Sequence, residues 1–351
     1  MKNFDYSLLR TRTFDREVIN YIGLIHEFKG RQQLYLEQKP QELETLVEIA
    51  KIQSTESSNA IEGIATTKAR LKSLMADKTT PRDRGEKEIK GYRHVLNVIH
   101  ENFDYVPIRK NYILQLHKML YQFTEERFGG SFKDTPNEID MVYPDGRAVL
   151  LFKPLEPFET PYAVERICEE YDKAINTYGI DPLIAIPVFI LDFLCIHPFN
   201  DGNGRMSRLL TTLLLYKSDF VIGRYISLEK KIEMTKDEYY IALQESSQNW
   251  YEEKNDDTPF IKYILGIILA AYRDFEERVE LVSEKLPAKE MVRRAIYSKM
   301  GKLSKSDISE LCPSIGVKSV ELALKQLVDE GVLEKKGLGR ATFYIRKDIN
   351  L

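Results

Sequence analysis

A chain of 351 residues with 43% hydrophobic and 30% charged residues, one Trp, 20 Tyr and 16 Phe carries core for roughly two or three domains and excludes collagen-like, coiled-coil-only and wholly disordered architectures. Cys168, Cys195 and Cys312 are too few and too scattered for a disulfide framework or a zinc cluster, which fits a reducing cytoplasm. The 51 Lys and Arg against 54 Asp and Glu give a net charge of −3, with no global pull toward nucleic acid, although 13 basic against 8 acidic residues from Lys289 onward make the C-terminal part basic.

In chain order, the start lacks the charged-then-apolar order of a signal peptide. The longest charge-free apolar run, Leu183 to Leu191, is too short to span a bilayer, so a soluble, cytoplasmic protein is expected. Apolar residues at three- and four-residue spacing predict a mainly helical chain. A first helix runs from Gln41 to about Ile61 and meets its stop at Glu62-Gly63. Further helices are predicted at Asp83–Phe103 and Ile108–Phe123. Between Phe132 and Phe152 the pattern changes to a β-hairpin about Tyr143-Pro-Asp-Gly146. Helices resume at Pro161–Tyr178 and Pro182–Ile196. One that carries Leu209, Leu210, Leu213 and Leu214 begins near Gly204, and another spans Phe260–Val282. The charged stretch Val279–Lys289, with Leu286-Pro287, reads as a linker. Beyond it, helices at Glu290–Met300, Ser306–Leu311 and Lys318–Glu330 precede a hairpin over Val332–Ile345, the order of a winged helix. The fold class is therefore mainly α, a helical bundle with a β-hairpin, plus a C-terminal α+β winged-helix domain. The domains read 1–85, 86–282 and 283–351.

Two long apolar helices flank His197-Pro-Phe-Asn-Asp-Gly-Asn-Gly-Arg-Met-Ser-Arg208. Gly202 and Gly204, lacking Cβ, let successive N–H groups around Asn203 face one concavity, and the N-terminus of the next helix adds partial positive charge there. Arg205 and Arg208, three apart on the first turn, can reach the same side and grip phosphate oxygens. Asp201 offers a hard oxygen to Mg²⁺ between phosphates. His197 is the group here that accepts a proton near neutral pH.

The same residues resemble the signature of the Fic family, His-Pro-Phe-x-[Asp/Glu]-Gly-Asn-Gly-Arg-x-x-Arg, at every specified position. The resemblance covers roughly Glu86 to Leu269, with weaker support from Leu116-His117 and Tyr239-Tyr240-x-x-Leu243. It implies a Fic-type helical bundle and a protein adenylyltransferase that moves AMP from ATP onto a Ser, Thr or Tyr hydroxyl of a target protein or of itself. By that resemblance His197 is the base and Asp201 holds Mg²⁺. Gly202, Asn203 and Gly204 cradle phosphates, Arg205 and Arg208 bind the β- and γ-phosphates, and the hairpin is a flap that pairs with an extended target segment. Retention of both glycines favours AMP transfer over the phosphorylation that some relatives perform. The flap carries Phe132-Lys133 where relatives often have Tyr-Arg. Tyr239 and Tyr240 read either as lining for the adenine pocket or as core.

Upstream, Ser58-Asn-Ala-Ile-Glu62-Gly63 resembles the family's inhibitory helix. Glu62 would pair with Arg208 and occupy the guanidinium that the γ-phosphate needs. In some relatives the same Glu serves AMP removal, so that direction stays open. The rival class is a nucleotide-sensing regulator whose residues 289–351 bind DNA. The predicted recognition helix offers Lys318, Ser319 and Lys325 but also Glu321, and winged helices bind either DNA or protein.

Overall fold

The computed structural model describes residues 2–38, 40–142, 148–283, 287–297, 299, 301–312 and 315–347. After a 3-10 turn at Tyr6–Arg10 the helices α1 (Arg16–Gln38), α2 (Pro40–Ile61), α3 (Lys68–Met75), α4 (Arg84–Asn102) and α5 (Lys110–Tyr121) lead to the hairpin of β1 (Ile139–Val142) and β2 (Ala148–Phe152). There follow α6 (Thr160–Asn176), α7 (Pro182–Ile196), α8 (Asn203–Lys217), α9 (Leu228–Met234), α10 (Lys236–Ser247) and α11 (Thr258–Ser283). The mainly helical class expected from periodicity is the observed one.

The centre is α7, because its sequence is apolar on every face and only a surrounded helix can bury all of it. Every residue from Leu183 to Ile196 is buried, and α6, α8, α10 and α11 pack around it. Asp181 starts this helix by accepting a hydrogen bond from Leu183 N at 2.8 Å. Asp192, the one carboxyl group inside it, is satisfied from three directions. Lys2 Nζ donates at 2.9 Å, Tyr6 OH at 2.9 Å and Trp250 Nε1 at 2.7 Å, which ties the chain start and the α10–α11 connection to α7. α1 lies along α11, and α2 packs on α4 and α9.

The hairpin is antiparallel, pairing Asp140 with Leu150 and Val142 with Ala148. Its predicted Pro-Asp-Gly turn at 143–146 lies outside the described residues. The expected linker begins later than its charge suggests. α11 runs on to Ser283 because Val279, one turn after Phe275, is still buried in the core.

Beyond it stand α12 (Ala288–Tyr297), β3 (Leu303–Ser304), α13 (Lys305–Leu311), α14 (Val317–Asp329), β4 (Leu333–Lys336) and β5 (Phe343–Arg346). The three strands pair in the order β3-β5-β4, so the two-residue β3 adds an edge that the sequence reading passed over. These elements enclose a core of their own, including Val292, Ile308, Val320, Leu324 and Leu327. The unit touches the helical body through Gln53 Nε2, which donates to Glu310 Oε2 at 3.1 Å, and through Lys299 and Glu277 at 3.3 Å. Among the described residues no helix is long and apolar enough to cross a membrane.

Candidate active site

α7 ends at His197, which sits in the left-handed region at φ 50°, ψ 62° and donates its backbone N–H to Phe193 O at 3.0 Å. The imidazole Nδ1 lies 3.3 Å from Leu194 O. A carbonyl only accepts, so this contact places the proton on Nδ1 and leaves the lone pair on Nε2. Burial pushes the His197 pKa down to about 4, with the nearby Lys133 charge acting the same way and the Leu194 bond, Glu62 and Asp201 acting against it. His197 is therefore neutral at physiological pH, which is the state a base needs.

The loop after His197 is closed by Asn203. Its side-chain oxygen accepts from Phe199 N at 2.9 Å and its amide donates to Phe199 O at 2.7 Å, so both ends of the amide serve the shape of the loop. Gly202 enters α8 at φ 84°, where a side chain would be strained and would also meet Tyr121 OH. The first N–H groups of α8 have no partner within the helix. Asp201 is half-exposed. It accepts from Gly202 N at 2.6 Å and from Arg84 at 3.2 Å, while its carbonyl lies 3.1 Å from His117 Nε2. His117, stacked on Phe199 at 3.7 Å between centroids and accepting from Gly130 N at 3.0 Å, supports the loop from below.

The two arginines keep their i, i+3 spacing but have different partners. Arg205 is buried against Glu88 Oε2 at 2.5 Å and Tyr121 OH at 2.7 Å. Arg208 Nε donates to Ser58 Oγ at 2.8 Å, and its Nη2 to Ser58 O at 2.8 Å and Glu62 Oε1 at 2.7 Å. Glu62 Oε1 also occupies the place a Cβ on Gly204 would take, so the carboxylate rests on the mouth of the loop. α2 ends beneath it with Gly63 at φ 77° and with Ile61 O accepting from Lys236 Nζ at 2.7 Å. The expected pairing of Glu62 with Arg208 is present in the geometry.

Tyr239 is buried, packed with Phe260 and Tyr263, whereas Tyr240 is half-buried and lines an apolar crevice with Phe152, Leu194, Cys195 and Leu243. Only the second of the two tyrosines lines that crevice. No cluster of three or more His, Cys, Asp or Glu that could hold a metal occurs among the described residues. The Asp201 carboxylate is a hard oxygen donor of the kind Mg²⁺ takes, and it is engaged here by Gly202 N, Arg84 and Arg205. Sequence reasoning noted Lys133 only as a departure in the flap and missed Asn137, Glu88 and Tyr121. The 3.1 Å bond from Asn137 to Phe199 O spans 62 residues and that from Arg205 to Glu88 spans 117, and no periodicity signals such distant partners. Arg84 and Glu88, paired at 2.6 Å, were visible as an i, i+4 pair.

Residues 107–215 match the Fic/DOC family. A Fido domain-containing protein of Dictyostelium discoideum is 29% identical over 128 residues, covering 35% of this chain and 85% of that protein. The protein adenylyltransferase fic-1 of Caenorhabditis briggsae is 29% identical over 154 residues, 43% of this chain, and the matched part is only a quarter of the relative's length, 25%. The crystal structure of a Fic family protein from Desulfovibrio desulfuricans G20 superposes with a TM-score of 0.62 over 97% of this chain and 98% of that one at 21% identity, a likeness of fold.

Proposed function

From the match of residues 107–215 to the Fic/DOC family, we propose that the protein is an adenylyltransferase that moves AMP from ATP to a hydroxyl of a target protein or of itself, restrained in cis by Glu62. The observation that carries the reading is His197, its Nδ1 engaged by Leu194 O, beside a helix N-terminus whose loop residue Gly202 is left-handed. Nε2 takes the proton of a Ser, Thr or Tyr hydroxyl as its oxygen forms a bond to the α-phosphorus. The bond from that phosphorus to the bridging oxygen breaks, and pyrophosphate leaves. The α8 N-terminus and Arg208 stabilise the charge on the phosphates. Mg²⁺ held by Asp201 would neutralise phosphate charge. Arg205, joined to Glu88 and Tyr121, holds α8 in position for this and contributes its charge from behind the loop.

The C-terminal residues from 287 onward are read as a winged-helix domain, a reading supported by their separate core and strand order. ATP labelled at the α-phosphate, offered with cell lysate to wild type, Glu62→Gly and His197→Ala, tests the function. Label should enter protein with the first two and vanish with His197→Ala, while calorimetry finds ATP binding to His197→Ala little changed, since the base contributes little to holding phosphates. Loss of ATP binding together with activity would make His197 a structural residue.

A further inference from the structure

The segment between α5 and the hairpin grips the chain on both sides of His197. Lys133 Nζ donates to Ile196 O at 3.0 Å and Lys133 N to Pro198 O at 2.9 Å. Asn137 Nδ2 reaches His197 O at 3.4 Å and Phe199 O at 3.1 Å, and Asn137 is itself fixed by Lys133 Nζ at 2.9 Å through its Oδ1. Four successive carbonyls, 196 to 199, thus each meet a donor from one five-residue stretch. These carbonyls need outside partners, because α7 stops at Ile196 and the chain then leaves the helical path. An ammonium is also an expensive group to bury. Lys133 is only 3% exposed, and burying an amine that merely filled space would cost free energy that an apolar side chain would not.

We propose that Lys133 and Asn137 are positioning residues that orient His197 for proton abstraction by clamping the main chain from Ile196 to Phe199. The proposal rests on the reading of His197 as the base. Placement at the C-terminus of α7 favours a cation there through the helix dipole. Burial pushes the Lys133 pKa down to about 8, so the side chain remains mostly charged at neutral pH. Among the described residues the charged groups acting on His197 are Lys133 from the hairpin base, Glu62 from the end of α2 and Asp201 from the loop, and Lys133 is the cation among them. It therefore supplies both the donor that fixes Ile196 O and a positive charge that acts on the imidazole in the same direction as burial.

The test compares Lys133→Met, Lys133→Arg and Asn137→Ala, each in the Glu62→Gly background. Misplacing a reacting group by a fraction of an ångström to an ångström costs rate rather than nucleotide affinity, so Lys133→Met should lower kcat by about 10- to 100-fold and leave KM for ATP within about twofold. Removing the positive charge raises the His197 pKa, so the acid limb of the rate profile should move to higher pH, and Lys133→Arg should restore both rate and limb. Equal losses in the Met and Arg variants that track melting temperature, with the limb unmoved, would reduce Lys133 to packing and overturn the proposal. Should Lys133→Met fail to fold, Asn137→Ala, at a half-buried position and stripped of the Nδ2 donors to His197 O and Phe199 O and of the Oδ1 that accepts from Lys133, decides the matter by the same kcat loss or its absence. If the Glu62→Gly background itself transfers no AMP, the transferase reading falls. Titration of the His197 imidazole by NMR then still tests the clamp: a raised pKa and a weakened preference for Nδ1–H in Lys133→Met support it, and an unmoved ring refutes it.

Discussion

Replacing Glu62 by Gly removes a carboxylate that lies on Arg208 and on Gly204 at once. Arg208 keeps its two bonds to Ser58, so the guanidinium stays oriented, but its outward face is uncovered. A hydrogen bond between charged groups contributes about 1.5–3 kcal/mol. Glu62 is 32% exposed against 4% for Arg208, and solvent at one partner weakens the pair, so the lower figure of about 1.5 kcal/mol applies. That is roughly a tenfold gain in the access of a γ-phosphate to Arg208. A second gain comes from space, since the carboxylate fills the volume over Gly204 that a phosphate chain must cross. Incorporation of α-labelled AMP, measured beside thermal unfolding, is expected to rise tenfold or more, as on the order of 1.4 kcal/mol corresponds to each factor of ten in rate. Glu62→Gln, which keeps the shape and loses the charge, should fall between. A Glu62→Gly protein that melts earlier and transfers AMP no faster would show that Glu62 only ends a helix, and the restraint would be refuted.

Arg208→Ala should bring the affinities for ATP and ADP closer together in calorimetry, because the γ-phosphate loses its cation; undiminished discrimination would place that phosphate elsewhere. Asp201→Ala should flatten the Mg²⁺ dependence of transfer, and an unchanged Mg²⁺ titration would remove Asp201 as the holder. Acid should unfold the protein early. Burial lowers the pKa of His100 to about 3 and of His117 and His197 to about 4, below an unfolded value of about 6.5. The unfolded chain then binds more protons between those values, so stability is complete above about pH 6.5 and falls as pH drops toward 4, by up to about 1.4 kcal/mol per pH unit for each histidine. Denaturant midpoints that stay level from pH 7 to pH 5 would contradict this.

The loop from His197 to Arg208 was legible because twelve contiguous residues carry it and their backbone geometry is local: glycines for the turn, a helix start, two arginines one turn apart. α7 and α8 were legible from their apolar density. α1 was not, since Gly23 and Gly30 interrupt its polar surface and its burial depends on α11, more than two hundred residues later. The arginines show the limit most clearly. Spacing placed Arg205 and Arg208 on neighbouring positions, but where each guanidinium settles is decided by Glu88 and Tyr121 for one and by Ser58 and Glu62 for the other. The side-chain amide of Asn203 tells the same story: the spacing gave it no partner, and it is found bonded to Phe199 N and O.

The left-handed backbone at His197 makes this side chain an uncomfortable tenant of its own helix end. A residue with a Cβ costs roughly 1–2 kcal/mol in that region, and glycine none. His197→Gly should therefore recover part of that strain and, freed of the need to keep a buried ring uncharged, hold its melting temperature better in mild acid than the native chain does. A selection for thermal or acid tolerance alone would drift toward a chain without this imidazole. A His197→Gly variant that melts well below wild type at pH 5 would show instead that the ring's packing outweighs the strain.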